Sequence, residues 1–153
     1  MQVPSRRPEL PSNPPLSEQT LALLTAAQHE ALVNQEYVGT EHVLSAVLHS
    51  VNSAELLRRC GMDCVQATAM LYPVLVPQLK SGAALRERPL TTRVYRAFEH
   101  AAQHARAREA RAIAVPDVLL GLLQDATSPA TQVMTASGLE SSLMTEAAWA
   151  TPQ

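Results

Sequence analysis

The sequence predicts an all-α fold of about eight short helices, arranged as two pseudo-symmetric copies of a four-helix unit. Hydrophobic residues make up 46% of the 153 residues, but aromatic residues make up only 3%. The core must therefore be built from Ala, Leu, Val and Met, which favours packed helices. Apolar residues also recur at helical spacing. The third observation is an internal repeat, described below.

Four helices are predicted in the first half from their start and stop residues. The expected N-caps are Ser17, Thr40, Ser53 and Asp63. The first helix should end near Asn34 and the third at Gly61, because both residue types tolerate the left-handed conformation that closes a helix. The fourth helix should stop before Pro73.

The second half repeats the first at a nearly constant separation. Pro15-Leu16-Ser17 matches Pro89-Leu90-Thr91 at 74 residues, Val43-Leu44 matches Val118-Leu119 at 75, and Gly61 matches Gly138 at 77. A drift this small is typical of a duplicated unit. Four further helices should open near Thr91, Val115 with Pro116 as first helical residue, Ser128 with Pro129, and Glu140.

These patterns predict one compact domain preceded by an arm. Residues 1–15 are proline-rich and polar, and we expect a disordered arm there. The double domain should span residues 16–149, with repeat one over 16–72, a linker over 73–89 and repeat two over 90–149. The core is expected to include Leu21, Leu24, Leu44, Val47, Leu48, Leu57, Phe98, Leu119, Leu122 and Leu123.

Composition and charge exclude several classes of function. The formal net charge is −2, which makes nucleic acid an unfavourable partner. The sequence contains no apolar run long enough to cross a bilayer, so we expect a soluble, cytoplasmic protein with no membrane partner. Cys60 and Cys64 are interpreted as small buried or half-buried side chains in a reducing compartment.

One segment carries a resemblance to a known family. Tyr37-Val38-Gly39-Thr40-Glu41-His42-Val43-Leu44, at the start of the predicted second helix, resembles the Clp amino-terminal domain of the ClpA, ClpB and ClpC unfoldases. The resemblance covers roughly Leu16 to Trp149. In the second copy the corresponding positions read Ala114-Val115-Pro116-Asp117, and Asn34 stands where the family's first helix usually ends with glycine.

The resemblance implies a binding function without catalysis. Family members capture substrates or adaptor proteins and hand them to an attached ATPase ring. This sequence has no glycine-rich phosphate loop followed by Lys and Ser or Thr, so we expect a free-standing, non-enzymatic relative that needs no cofactor. Its expected partners are Clp ATPase or protease subunits, or their protein substrates. The alternatives are a DNA-binding or transcription-regulating helical domain and, after that, an uncharacterised enzyme.

The resemblance to ClpC-type members also implies a ligand. In those proteins the first-helix cap and the Thr and Glu of the second helix help to bind phosphorylated arginine. Carried over to this sequence, these roles fall to Ser17, Thr40 and Glu41 in the first copy and to Thr91 in the second. The expected site lies where Ser17 approaches Thr40 and Glu41, with one ligand per chain. The same residues are also adequate helix caps and first-turn residues without any ligand.

Two other residue groups favour structural interpretations. His100 and His104 lie four apart on one predicted helix, but no further ligand completes a metal site, so we interpret them as a solvated pair. The arginines of the fifth helix and its end are interpreted as a solvated face, with a surface for an acidic patch of a partner protein as the alternative and a nucleic acid surface after that. They are Arg93, Arg96, Arg106, Arg108 and Arg111.

Overall fold

The computed structural model describes residues 9–34, 37–75 and 89–151, and these residues form eight α-helices. The helices are α1 (Glu18–Asn34), α2 (Thr40–His49), α3 (Val51–Arg59), α4 (Cys64–Leu75), α5 (Thr92–Ala107), α6 (Val115–Leu123), α7 (Pro129–Ala136) and α8 (Ser141–Ala150). The predicted all-α fold of eight helices is confirmed. No helix in the described ranges is long and apolar enough to span a bilayer.

The two halves contact each other through reciprocal backbone pairs. Leu16 forms a parallel bridge with Ile113, and Val38 forms one with Leu90. Each bridge therefore joins the start of one half's first helix to the segment before the other half's second helix. The division into repeats at residues 72, 73, 89 and 90 stays a prediction.

A second reciprocal contact lies at the far end of the halves, around two glycines. Gly61 and Gly138 both have positive φ angles, of 92° and 93°, as expected for glycines that follow a helix. The N–H of Asp63 donates to the carbonyl of Ser137 at 2.8 Å, and the N–H of Glu140 donates to the carbonyl of Cys60 at 2.9 Å. A Cβ on either glycine would lie 3.1 Å from the other glycine's carbonyl oxygen, so the turns pack closely.

The core is one continuous cluster contributed by both halves. Six of the predicted core residues are buried, namely Leu44, Val47, Leu57, Phe98, Leu119 and Leu122. Leu24, Leu48 and Leu123 are partly buried and pack against the cluster. Cys60 is buried and Cys64 half-buried, as predicted.

The prediction that Leu21 is buried is wrong. Its side chain is 51% exposed, and the inner face of α1 runs instead through Leu23, Ala27 and Ala31. These three residues lie one helical turn apart, whereas Leu21 lies about 200° around the helix from Leu23.

Most of the predicted caps are confirmed by hydrogen bonds. The hydroxyl oxygens of Ser17, Thr91 and Ser128 accept from the backbone N–H three residues later, at 3.1, 3.3 and 3.2 Å. The carboxylate of Asp63 accepts from the N–H of Gln66 at 3.1 Å. Glu140 is the N-cap of α8, although its side chain makes no capping bond.

Three predicted helix starts are wrong, by one residue at α2 and α6 and by three residues at α3. The N-cap of α6 is Ala114, so Val115 rather than Pro116 is its first helical residue. The N-cap of α2 is Gly39, and Thr40 is already helical, because the Nδ1 atom of His42 accepts from the Gly39 N–H at 2.9 Å and closes the first turn. The N-cap of α3 is Ser50 rather than Ser53, since α3 follows α2 after a single residue.

Two expectations about chain boundaries need correction as well. Helix α4 continues through Pro73 to Leu75, so the expectation that the fourth helix stops before Pro73 is wrong. Pro73 and Ala69 are exposed, and water can therefore bond the Ala69 carbonyl that loses its helical donor. Residues 1–8 of the expected arm, and 76–88 of the expected linker, lie outside the described residues. Residues 9–15 pack on the domain, with Leu10 against the core.

We expect Leu119→Ala to lower the free energy of unfolding by about 2–5 kcal/mol, because the side chain is fully buried and its truncation leaves a cavity. Leu21→Ala, on the same scale, should change it by no more than about 0.5 kcal/mol. Urea denaturation followed by circular dichroism measures both. Equal losses in the two variants would contradict the assignment of the α1 face.

We also expect the free energy of unfolding to fall as pH is lowered from about 6.5 toward 4. Burial lowers the pKa of His42 from 6.5 to about 4. Between these values the unfolded chain binds a proton that the folded chain does not, so His42 contributes stability that is present above pH 6.5 and declines by up to about 1.4 kcal/mol per pH unit. Urea titrations across this pH range measure the slope.

The matched variant is His42→Gln, whose amide oxygen can still accept from Gly39 but does not titrate. Glu41 contributes a pH dependence of the opposite sign, but it is present in both proteins and cancels when the slope of His42→Gln is subtracted from that of the wild type. Burial raises the pKa of Glu41 above 4.5, so its stabilising contribution is present at low pH and is lost as pH rises through the raised value. A variant with the wild-type slope would show that His42 does not set the acid sensitivity.

Candidate functional site

The candidate site is an open cavity of about 470 Å³ at the starts of α2, α5 and α7. It is lined by Tyr37, Gly39, Thr40 and Glu41 before and within the first turn of α2, by Thr91, Thr92 and Arg93 at α5, and by Thr127 and Pro129 at α7. Both halves of the chain therefore contribute to it.

The bridge at Val38 holds the walls of this cavity together. The Val38 N–H donates to the Pro89 carbonyl at 2.8 Å, and the Thr91 N–H donates to the Val38 carbonyl at 3.0 Å. Val38 is completely buried. One residue follows the bridge on each chain segment. Gly39 follows Val38 and is the N-cap of α2, and Thr91 follows Leu90 and is the N-cap of α5. The starts of two helices are thereby fixed side by side.

Thr40 connects α2 to the start of α7. Its side chain is buried, and its hydroxyl oxygen accepts from the backbone N–H of Ala130 at 3.5 Å. The third helix start is fixed in this way against the first. All three starts present the positive end of a helix dipole. The starts of α2 and α5 also carry backbone N–H groups without intrahelical acceptors, whereas at α7 Pro129 has no N–H and the N–H groups of Ala130 and Thr131 already donate to Thr40 and Ser128.

Glu41 is the buried acid of the cavity. It is only 6% exposed, and its carboxyl group folds back over Gly39, where a Cβ would overlap it. Burial raises the pKa of Glu41, while its own backbone N–H and the charge of Arg93 act to lower it. A cation placed beside this carboxyl group would restore the charge that burial disfavours.

Arg93 supplies the positive side chain of the cavity. One guanidinium nitrogen donates to the carboxylate of Asp125 and to the hydroxyl of Thr127, each at 3.0 Å. Thr91, two residues earlier, accepts from Val94 as the cap of α5 and keeps its own hydroxyl hydrogen for another partner. The cavity thus combines helix starts and a guanidinium, which suit an anion, with one buried carboxyl group.

Three of the four sequence-predicted site residues lie together, namely Thr40, Glu41 and Thr91. Ser17 does not join them, so the expected approach of Ser17 to Thr40 and Glu41 is wrong. The Ser17 N–H donates to the Ile113 carbonyl at 3.0 Å, which places it at the start of α6. The pairing is crosswise because each bridge joins residues of different halves. Whether the four residues bind a ligand stays a prediction.

The place where Ser17 lies has no equivalent acid. At the start of α6, Val115 and Pro116 stand at the positions of Thr40 and Glu41, and Asp117 points into the core, where it is fully buried. Its carboxylate accepts from the Ala114 N–H at 2.9 Å and from Arg108 at 2.9 and 2.6 Å. Asp117 is therefore a structural residue.

The contacts of Asp117 show that two interpretations from the sequence are wrong, one for the His100 and His104 pair and one for Arg108. His104 is half-buried with Nδ1 at 2.7 Å from Asp117, so His100 and His104 are not a solvated pair. Arg108 is buried on Asp117 and does not belong to a solvated arginine face. Among the described residues, no group of three or more His, Cys, Asp or Glu side chains is placed to hold a metal ion.

Sequence reasoning missed the contributions of Tyr37, Thr92, Arg93 and Thr127 to the cavity. The sequence pattern alone favours a solvated face for Arg93, although Arg93 is a first-turn residue of the helix that Thr91 caps. That position was a usable signal, since first-turn side chains lie beside the ligand-accessible end of a helix. Thr127 lies in the connection before α7, and its approach depends on tertiary packing alone.

Known proteins with similar sequences and structures identify the family of this chain. The sequence model of one protein family, the Clp repeat (R) N-terminal domain, matches residues 15–137. A search of curated proteins finds no match. Solved structures with the same fold include one from a study of a malarial protein secretion system, with 18% identity, a TM-score of 0.74, and coverage of 87% of this chain and 91% of that chain.

Two further structures are also N-terminal domains. The Hsp104 N-terminal domain from Candida albicans is 15% identical with a TM-score of 0.71, covering 88% of this chain and 89% of that one. The N-terminal domain of the chaperone ClpD from Arabidopsis thaliana is 21% identical with a TM-score of 0.63, covering 87% and 91%. Because the family model spans most of the sequence, this chain belongs to the Clp repeat (R) N-terminal domain family.

Proposed function

We propose that this chain is a non-catalytic binding module of Clp-dependent protein degradation that recognises proteins carrying phosphoarginine. Membership of the family supports a protein-binding role, since Clp N-terminal domains are typically protein-interaction modules of Clp chaperones. The observation that supports phosphoarginine recognition is the convergence of three helix starts around Glu41, the buried acid of the cavity.

The phosphate of such a ligand fits the helix starts. A phosphoryl group accepts hydrogen bonds from free backbone N–H groups at a helix start and is favoured by the dipole there. Thr91 can donate its hydroxyl hydrogen, and the guanidinium of Arg93 is already held at the cavity by Asp125 and Thr127. The phosphate therefore belongs between α5 and α2.

The guanidinium of the ligand fits Glu41. A planar guanidinium offers paired donors that match a carboxylate. Burial makes the ionised form of Glu41 costly when it is alone, and a bound cation offsets that cost. A phosphorylated serine or threonine lacks the second group and would leave Glu41 unpaired, so the cavity favours phosphoarginine over other phosphorylated residues.

The partners that follow are Clp ATPase or protease subunits and their marked substrates, in the cytoplasm. The chain could deliver marked proteins, regulate a Clp ring or hold marked proteins away from it, and all three roles use the same cavity. A DNA-binding role is the less favoured alternative. Of the fifth-helix arginines, Arg108 is buried on Asp117 and Arg93 is paired with Asp125, which leaves a reduced basic face on a chain of net charge −2.

We expect calorimetric titration with a phosphoarginine peptide to show one site per chain. Glu41→Gln should weaken binding by about 10- to 100-fold, because it removes a hydrogen-bonded charge pair worth about 1.5–3 kcal/mol. Thr91→Ala should weaken it less, since the hydroxyl is one of several donors that can bind the phosphate, whereas Glu41 is the only carboxylate of the cavity lining. Urea denaturation of each variant checks that the fold is retained.

The matched control is Ser17→Ala, which removes the equivalent helix cap at the start of α1, away from the cavity. This variant should lose about 1 kcal/mol of stability and bind the peptide with unchanged affinity. Two equal sites, or wild-type affinity in Glu41→Gln, would contradict the proposed ligand geometry. The unphosphorylated arginine peptide should bind at least tenfold more weakly.

A pull-down from native lysate tests the cellular role. We expect Clp subunits or arginine-phosphorylated proteins to be recovered with the wild-type chain, and recovery to fall with Glu41→Gln. Added duplex DNA should not compete. Recovery of DNA without Clp subunits or their substrates would favour the DNA-binding alternative.

A further inference from the structure

Helix α4 has an apolar outer face that no described part of the chain covers. Val65 is 82% exposed and Tyr72 is 73% exposed, and the small side chains of Thr68 and Ala69 lie between them. Together with Cys64 these residues line a shallow cavity of about 480 Å³. The twelve residues of α4 include no Asp, Glu, Lys or Arg. A helix that is apolar on its outer side as well as its inner side is typical of one that packs against a partner on both sides.

The equivalent helix of the second half is α8. Gly61 matches Gly138 at 77 residues, and the same separation aligns α4 with α8. Both helices bury the same two positions, which are Ala67 and Leu71 in α4 and Met144 and Ala148 in α8. The outer faces of the two helices are therefore directly comparable.

The outer face of α8 is more polar than that of α4. Ser142 stands at the position of Val65. Glu146 stands at the position of Ala69. Both α8 residues are exposed, as expected for a helix face in water. The fold therefore accepts polar residues at these two positions, and the apolar residues of α4 are not required for its packing on the domain.

The spacing of the α4 face matches a surface that receives the side chain of another helix. Positions 65, 68, 69 and 72 are related as i, i+3, i+4 and i+7, which is the four-residue hole of helix–helix packing. The large side chains lie at the two ends of this hole and the small ones lie in the middle. The shape of the face therefore indicates that its occupant is a helix.

The same face is complementary to itself. When two copies of α4 run antiparallel about a two-fold axis between residues 68 and 69, position 65 of each copy lies opposite position 72 of the other. The small Thr68 and Ala69 then lie at the axis, where the two helices approach most closely. Val65 packs beside Tyr72 of the second copy, and the reverse contact is identical. A two-fold dimer requires a self-complementary patch of this kind.

The charges around the face also suit a second copy. Because α4 has no charged side chain, pairing two α4 helices buries no charge and brings no like charges together between them. The exposed Glu55–Arg58 ion pair of α3 lies near Cys64, since both residues act electrostatically on the Cys64 thiol. This end of the face receives Tyr72 of the second copy, and the ion pair can bond its phenol hydroxyl.

From these observations we infer that the outer face of α4 binds the same face of a second copy of this chain, in a two-fold dimer with antiparallel α4 helices. A contact made mainly by two helices of twelve residues is smaller than the ~800 Å² per partner of stable complexes, so the dimer is weak and reversible. The lining of the Glu41 cavity includes no residue of α4, so the inference does not rest on phosphoarginine binding.

The test is sedimentation velocity of the full chain at concentrations from about 10 μM to about 1 mM. The sedimentation coefficient of the wild-type chain should rise with concentration from the value of a monomer toward that of a dimer. Ala69→Glu brings two carboxylates together at the axis and should weaken dimerisation at least tenfold. In the ¹⁵N-labelled wild-type chain, the amide resonances that shift on dilution should be those of α4.

The matched control is Ala22→Glu, the same substitution at an exposed position of α1, which should dimerise like the wild-type chain. Val65→Ser, which introduces the residue of α8, is a second variant that should weaken dimerisation, and circular dichroism checks the fold of each variant. A sedimentation coefficient independent of concentration would overturn the inference and leave the face to a helix of another protein. Dimerisation of Ala69→Glu and Val65→Ser with wild-type affinity would also overturn it, because the contact would then lie elsewhere.

Discussion

The crosswise pairing of the two halves is the constraint on which the rest of the structure depends. Four backbone hydrogen bonds of 2.7–3.0 Å make the two bridges, and each connects a segment before a first helix to a segment before a second helix of the other half. The buried bridge residues Val38 and Ile113 fill the core at these points. Thr91 consequently lies beside α2 and Ser17 beside α6, so neither half could form the candidate site alone.

The core polar groups show how far two similar halves can differ within this constraint. His42 and Asp117 occupy corresponding positions, and each accepts from the backbone N–H of its helix cap at 2.9 Å. Asp117 is then completed by Arg108 and His104. The Nε2 atom of His42 has no hydrogen-bond partner in the part of the chain that is described. The first half therefore carries a neutral, acid-sensitive residue where the second carries a satisfied buried ion pair.

Much of the fold could be predicted because helix ends are local features. Ser17, Asp63, Thr91 and Ser128 cap their helices through bonds that span three residues, and Gly61 closes α3 through its own φ angle. The errors arose where tertiary packing decides. Leu21 has the right residue type for the core, but the partner helices lie on the side of Leu23. Pro73 remains helical because its turn is exposed.

The candidate site was predictable by residue but not by arrangement. The Gly-Thr-Glu-His string identified Thr40 and Glu41, and the repeat identified Thr91, because both are properties of the chain order. Their grouping depends on which half pairs with which, and two adjacent or two crossed pairings would give the same sequence pattern. Arg93 was missed for the same reason, since its relation to Glu41 exists only across the bridge.

The differences between the halves, more than the shared fold, determine what the domain can bind. Pro116 removes the acid that Glu41 provides, so the two crosswise helix-start positions are not equivalent. Gly121, where the first half has Ala46, allows α5 and α6 to come into backbone contact, and the side chain of Arg93 reaches Asp125 in the connection between α6 and α7. Each substitution leaves the core intact, because it lies at a helix start or at a helix contact on its edge. A duplicated scaffold can thus keep two copies of its packing while presenting distinct surfaces at equivalent places.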